Sequence, residues 1–316
     1  MAWISKAGVW AGGVNCLSAQ AKQYFVGGAA DVTSKSKLVV VNAGLSSSIV
    51  DVITYSEGAS LKKTINVGKN QSTSLNLVSL APGAKSVAMQ VIPRTGRVAS
   101  YLVDERGKGL QSLGGDVVNS QSAPGKILLI PGIAHSKTNK SHLLRILNPS
   151  IASAVVTVEV LSKDGRYIPV GLDGRRVGAG KVADIVFDFD SKQSSFGLRI
   201  TSDQPIAASA YSRIGKDFVW SSSVTPNVTG TWAVTGLDPI MQFIGEEINV
   251  KVTALLPGKK KISETITGTD YVSYKVPKNS IGIRIDSISK GTASALLVTS
   301  QSGIGFLPLT NGSTLT

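Results

Sequence analysis

The sequence predicts an all-β protein of three tandem antiparallel β-sandwiches, of immunoglobulin or fibronectin-like type, from three observations. Gly28, Gly132 and Gly236 are spaced 104 residues apart in both steps, and self-similarity at a fixed period marks a repeated unit. Each glycine follows a short apolar run, in Tyr24-Phe25-Val26-Gly27-Gly28, Leu128-Leu129-Ile130-Pro131-Gly132 and Trp232-Ala233-Val234-Thr235-Gly236. Short β-branched runs separated by Gly, Ser and Pro recur between these marks, as strands and turns do. The composition agrees: 33 Gly but only 7 Phe, 7 Tyr and 4 Trp among 316 residues, a mixture suited to short strands rather than helical bundles.

A chain of this length accommodates three units of roughly 100 residues each. The expected division is a lead-in over 1–22, then units over 23–110, 111–215 and 216–316, the last the most diverged. The lead-in holds Trp3, Trp10 and a Gly12-Gly13 pair without periodicity. In the first unit the pattern predicts seven strands, at Tyr24–Val26, Leu38–Val41, Ile49–Tyr55, Lys62–Val67, Ser72–Leu77, Val87–Ile92 and Val98–Val103. The second unit alternates more cleanly. Val156, Val158 and Val160 share one face of Val155–Leu161, with Thr157 and Glu159 on the other, the period-2 signature of a strand with one buried side.

Lys163-Asp164-Gly165-Arg166 then supplies an Asp-Gly hairpin turn, and Leu172-Asp173-Gly174-Arg175 a second. Asn148-Pro149 ends Leu143–Leu147 where Asn42-Ala43-Gly44 ends Leu38–Val41, a second anchor for the repeat. In the third unit Ile248–Val252 and Ile281–Ile285 alternate, and Ala293–Val298 closes the sheet. Gly107–Lys126 and Ser221–Gly230, rich in Gly, Ser, Pro and Asn, read as linkers or long end-to-end connections. Units joined in this way would form an elongated rod.

Charge bounds the partners. Basic residues outnumber acidic ones 12 to 5 in 1–110, 12 to 8 in 111–215 and 9 to 7 in 216–316, for a formal net charge of +13. Such an excess concentrates polyanions near the surface without selecting among them. The densest basic run, Lys259-Lys260-Lys261, and the pairs Lys62-Lys63 and Arg175-Arg176 fall in or beside expected turns and form the candidate polyanion-binding set. The same lysines also serve solubility and discourage edge pairing. Nucleic acid is excluded from the expected partners, because base-stacking platforms need aromatics among the cations and these runs contain none. No apolar stretch approaches the ~20 residues of a membrane helix.

Other residue patterns resolve into structure. His135 and His142, the only histidines, have lysines between them and no carboxylate nearby, a poor ligand set that predicts solvated loop histidines. Asp184, Asp188 and Asp190 alternate with Ile185, Phe187 and Phe189 and are expected on the solvent side of a half-buried strand, not in a calcium loop. Gly12-Gly13 and Gly107-Lys108-Gly109 lack the phosphate-loop spacing and read as turns. No serine sits in a hydrolase elbow. Cys16 stands alone, so no intrachain disulfide and no CxxC metal site can form. Trp10, Trp220 and Trp232 invite a sugar-stacking surface, although Trp220 and Trp232 flank the connection between the second and third units, where inter-unit packing is the expected use.

The runs Phe25-Val26-Gly27-Gly28-Ala29-Ala30-Asp31, Leu38-Val39-Val40-Val41-Asn42-Ala43-Gly44 and Leu144-Arg145-Ile146-Leu147-Asn148-Pro149 resemble a domain-of-unknown-function family, number 5719, of exported actinobacterial proteins, over about 23–300. The resemblance brings no catalytic residues. It implies an extracytoplasmic, envelope-associated location behind a leader or anchor outside this chain. The expected function is therefore non-enzymatic, without metal or cofactor: an envelope rod that contacts an anionic wall polymer or another envelope protein. Two alternatives stand beside it, a carbohydrate-binding or glycan-processing surface protein and a surface-layer or virion assembly subunit.

Overall fold

The computed structural model describes residues 2–310 except 7, 8, 17 and 122. It is all-β, with several antiparallel sheets and, among the described residues, no α-helix. Strands β1 (Ala2–Lys6) and β2 (Trp10–Val14) form an N-terminal hairpin.

A first group of strands follows: β3 (Gln23–Val26), β4 (Lys37–Asn42), β5 (Ser48–Ser56), β6 (Leu61–Val67), β7 (Gln71–Asn76), β8 (Val87–Pro93), β9 (Ala99–Lys108) and β10 (Gln111–Val118). All seven strands predicted in 23–110 occur here. The eighth, β10, lies inside Gly107–Lys126, so that stretch is not the linker expected. The group forms two four-stranded sheets, in the orders β3-β8-β5-β6 and β10-β9-β4-β7. Phe25, Val50, Val52, Met89 and Val91 from one sheet pack against Leu38, Val40, Leu102 and Val118 from the other.

The second group contains β11 (Gly125–Ala134), β12 (Ser141–Asn148), β13 (Ala154–Ser162), β14 (Gly165–Tyr167), β15 (Arg175–Val177), β16 (Lys181–Asp188), β17 (Ser195–Ile214) and β18 (Asp217–Ser222). Its pairing reproduces the first. β17 is 20 residues long and serves both sheets. Its first half pairs with β11 and β13, with β14 and β15 beyond β13, and its second half with β18 and β12, with β16 beyond β12. The alternation holds, since Val156, Val158 and Val160 are fully buried, and Gly165 supplies the hairpin turn at φ 108°.

In the third group the fusion moves to other strands: β19 (Gly230–Ala233), β20 (Pro239–Leu255), β21 (Lys261–Lys275), β22 (Gly282–Ile288), β23 (Ala293–Thr299) and β24 (Ile304–Pro308). The N-terminal half of β20 pairs with β23, which pairs with β24; the C-terminal half pairs with β22, which pairs with β19. β21 runs along the whole opposite edge of β20. A register shift between Gly245 and Ile248 marks where both strands pass from one sheet to the other.

Two local devices recur with this order. Gly28, Gly132 and Gly236 all adopt positive φ, 86°, 78° and 76°, a conformation open to glycine and strained for other residues. Asn42 and Asn148 close the same loop. The Asn42 amide donates to the carbonyls of Ser46, Val67 and Gly68 while its oxygen accepts from the Gly44 amide. The Asn148 amide donates to Ala152, Val177 and Gly178 and accepts from Ser150. Each side chain thus satisfies backbone groups that the β4–β5 or β12–β13 turn would otherwise leave buried without partners.

The groups are not strung on free linkers. Tyr24, Val26, Tyr55 and Ala88 on the outer face of the first group pack on Leu147, Val182 and Ala207 of the second. Leu129, Leu161, Val219 and Val224 of the second pack on Ile244, Leu297, Ile304 and Phe306 of the third. Equivalent edge strands β10, β18 and β24 converge on β2, where Gly12 and Gly13 are strand residues buried against Asp116, Val117 and Leu307 rather than turn residues. Asn119 donates to the carbonyls of Gly13 and Phe306 at 3.0 and 2.9 Å. Asp217 accepts from the amides of Ala11, Gly115 and Ile304 at 3.2, 3.1 and 3.3 Å. Independent motion of units along a rod, as the linker composition predicts, is incompatible with these buried seams.

Removing the Asn148 amide leaves three carbonyls without that donor. Asn148→Ala is expected to cost about 2–4 kcal/mol and Asn42→Ala a similar amount, read from urea midpoints at unchanged slope.

Candidate functional site

Trp220 on β18 sits in the core of the first group, 1% exposed, so inter-unit packing is the correct use but the neighbour is the first unit rather than the third. Its indole Nε1 donates to Asp104 at 2.9 Å and its backbone amide to Asp116 at 2.7 Å. Burial pushes the Asp104 carboxyl up, but Arg106 together with the hydrogen bonds from Ser36 and Trp220 outweighs it and holds the group below the usual carboxylate range. Among the described residues no cation pairs with Asp116, and burial raises it well above that range. Trp232 lies in the third group's own core and Trp10 is 5% exposed, so the three tryptophans present no sugar-stacking face.

Beside Trp220, Arg145 on β12 is 3% exposed and commits all five donors. Nε and Nη2 bind Asp184 at 2.7 and 2.8 Å; Nη1 donates to the carbonyls of Gly28 and Val87, and Nη2 also to Lys85. The guanidinium carbon stands 4.9 Å from the Trp220 ring centroid, within cation–π range. Sequence alternation places Asp184, Asp188 and Asp190 opposite the buried Ile185, Phe187 and Phe189, as predicted. Asp184 has a further role that the pattern conceals: it holds Arg145 and accepts from Ser86 of the first group at 2.7 Å.

The histidines require correction. His135 and His142 are 5% and 3% exposed, packed among Phe187, Phe189 and Phe196: His142 lies on β12, and His135, directly after β11, is buried at the start of the loop, where its amide donates to the Ser194 carbonyl. His135 Nδ1 lies 3.0 Å from His142 Nε2, His135 Nε2 3.2 Å from the Ser191 carbonyl, and His142 Nδ1 2.9 Å from Ser212 Oγ. The carbonyl only accepts, so it sets the direction of the chain: His135 Nε2–H donates to Ser191, His142 Nε2–H to His135 Nδ1, and Ser212 O–H to His142 Nδ1. Both rings are neutral in this arrangement. Burial depresses both, His142 to about 3 with His135 contributing.

Above this pair, three loops enclose an open cleft of about 860 Å³. Its rim carries Lys137, Lys140, Lys163 and Lys192, all exposed, with Asp164 and Asp190. Lys140 binds Asp190 at 2.8 Å, and Gln193 Nε2 binds Asp164 at 2.7 Å. Among the described residues no ion pair involves Lys137, Lys163 or Lys192. The His135–Ser191 hydrogen bond ties the floor of the sandwich to the 190–194 wall of the cleft. Sequence reading missed these lysines because they are scattered singly over 56 positions, and only the ends of β11, β13 and β16 bring them together.

The predicted polyanion set is dispersed. Lys259, Lys260 and Lys261 are exposed at the β20–β21 turn, Arg175 and Arg176 are exposed on β15, and Lys62 and Lys63 lie on β6. Lys62 is occupied by Asp51 at 2.8 Å. A second concavity, of about 390 Å³ between the second and third groups, is floored by Leu129, Leu161 and Val224. Its ion pairs, Arg166–Asp270 at 3.1 Å and Arg199–Glu246 at 2.9 Å, neutralise one another across the seam. Cys16 is exposed and free. No group of three or more metal-ligating side chains, and no helix able to span a membrane, occurs among the described residues.

Fold and site together define a class: an all-β protein whose buried ionisable groups serve structure while its loops carry an uncompensated positive charge. Within that class, the chain matches the family described as "Family of unknown function (DUF5719)" over residues 5–267 and belongs to it. The chain matches no curated protein and no solved structure.

Two outcomes follow. Arg145→Met strands Asp184 and frees three carbonyls, so thermal unfolding should report a loss of about 3–5 kcal/mol, the range for breaking one side of a buried pair. The folded-state depression of His142 means the unfolded chain binds the extra proton. Stability should be complete above pH ~6.5 and fall as the pH drops toward 3. His142→Gln should flatten that segment of the stability–pH curve, measured by urea unfolding at a series of pH values.

Proposed function

We propose that the protein is a non-enzymatic binding scaffold of the cell envelope, built of three tandem immunoglobulin or fibronectin-like sandwiches, that contacts anionic polymers through its loops. The recurring strand order, the three positive-φ glycines and the matched Asn42 and Asn148 networks support the tandem reading. The extracytoplasmic location, and the origin among exported actinobacterial proteins, rest on the family resemblance. Fold alone assigns no activity.

The observation that carries the binding role is the separation of charge. Asp104, Asp116, Asp184 and Asp217 are tied to tryptophan, arginine and backbone donors at the seams. Lys137, Lys163, Lys192 and Lys259–Lys261 remain exposed outside any ion pair among the described residues. A surface with that asymmetry attracts polyanions while the framework beneath it stays fixed.

Isolated envelope material, with and without its anionic polymers, tests the reading across a salt series. Binding that is lost when the polymers are stripped and that weakens steeply with salt is expected, because the contacts release counterions. Retention of binding after stripping, or none at low salt, overturns the polymer role.

A further inference from the structure

We propose that the lysine-rimmed cleft at the β11–β12 end of the second group is a discrete site for consecutive phosphate groups of a linear polyanion. The assignment rests on the anionic-polymer reading above and narrows it to one place and one chemistry.

The geometry favours a built site over diffuse charge. Three separate loops, 135–140, 163–164 and 190–194, converge on one concavity of about 860 Å³, room enough for several phosphate groups. Both carboxylates on its rim already have partners, Asp190 in Lys140 and Asp164 in Gln193. Gln193 is uncharged, so the Asp164 charge stays on the rim; among the described residues Lys137, Lys163 and Lys192 form no ion pair, and four lysines against two carboxylates leave the cleft with an excess of two positive charges. The wall is held from below: His135 donates to the Ser191 carbonyl, its own amide donates to the Ser194 carbonyl at 2.8 Å, and Gln193 takes the Lys163 amide at 3.1 Å. These bonds tie the 135–140 and 163–164 loops to the 190–194 segment before any ligand arrives.

The lining also selects among anions. It contains lysine and no arginine, hence compact point charges rather than the planar fork that matches a carboxylate in two bonds. Phosphate, with oxygens in several directions, needs no fork. No aromatic side chain lines the cleft, so nucleobases find no stacking platform there. The cleft is concave, which suits a flexible chain better than the flat surface of a bilayer.

Equilibrium titration of the full chain with long-chain inorganic polyphosphate, with anionic phospholipid vesicles as a second arm, tests the assignment. The Lys137→Gln/Lys163→Gln/Lys192→Gln variant changes only exposed side chains and is compared with Lys259→Gln/Lys260→Gln/Lys261→Gln. The cleft variant should weaken polyphosphate binding about tenfold or more and lower the salt slope by about one per lysine removed, at unchanged thermal unfolding. The turn variant should bind nearly as the parent does. Binding by the parent that the cleft variant retains, or that only the turn variant loses, overturns the cleft and leaves the wider polymer reading standing. Absence of polyphosphate binding at low salt overturns the phosphate site, while the wider reading falls only if envelope material also fails to bind. Vesicle binding in its place, lost in the cleft variant, overturns the polyphosphate assignment in favour of a membrane surface.

Discussion

The guanidinium of Arg145 is the interaction on which the arrangement of sheets depends. A cation almost removed from water is costly unless every donor is met and a countercharge stands beside it. Here Asp184 supplies the countercharge, three backbone carbonyls of the first group take the remaining donors, and the Trp220 ring covers one face. Because the carbonyls belong to the backbone at Gly28, Lys85 and Val87, this one side chain ties the first group to the second beside the apolar seam they share. Trp220 then carries the constraint onward, since its indole and backbone amide reach Asp104 and Asp116.

The same logic runs through the convergence of β10, β18 and β24 on the N-terminal strand. Edge strands present unpaired amides and carbonyls that invite association. Asn119 and Asp217 satisfy some of those groups directly, while glycines at 12, 13, 115, 303 and 305 permit approaches that a Cβ would block. A segment that reads as an unpatterned lead-in thereby becomes part of the core. The consequence is a packed base from which the loops project.

The buried histidine pair joins the framework to the cleft. A chain of three hydrogen bonds runs from Ser212 through both rings to the Ser191 carbonyl, with one direction fixed by the acceptor at its end. Protonating His135 would set its Nδ1–H against the His142 Nε2–H, a cost separate from the desolvation of the charged ring by which burial depresses both groups. Apolar packing by Phe187, Phe189 and Phe196 excludes the water that would relieve the conflict.

The sequence by itself determined the all-β class, the seven strands of its first hundred residues, the inward faces of Val156, Val158 and Val160, and the turns at Gly165 and Gly174. Each of these is local: alternation and turn chemistry are written within a dozen residues. The 104-residue spacing singled out Gly28, Gly132 and Gly236, and the structure then showed that they share a positive-φ backbone conformation. Tertiary structure decided where the sandwich faces meet, that Trp220 belongs to the first group's core, that His135 and His142 are buried, and that four isolated lysines share one cleft. Those outcomes depend on pairs far apart in the chain, such as Arg145 with Gly28, or Asn119 with Phe306, and nothing in a local pattern encodes which distant carbonyl or carboxylate will satisfy a buried donor.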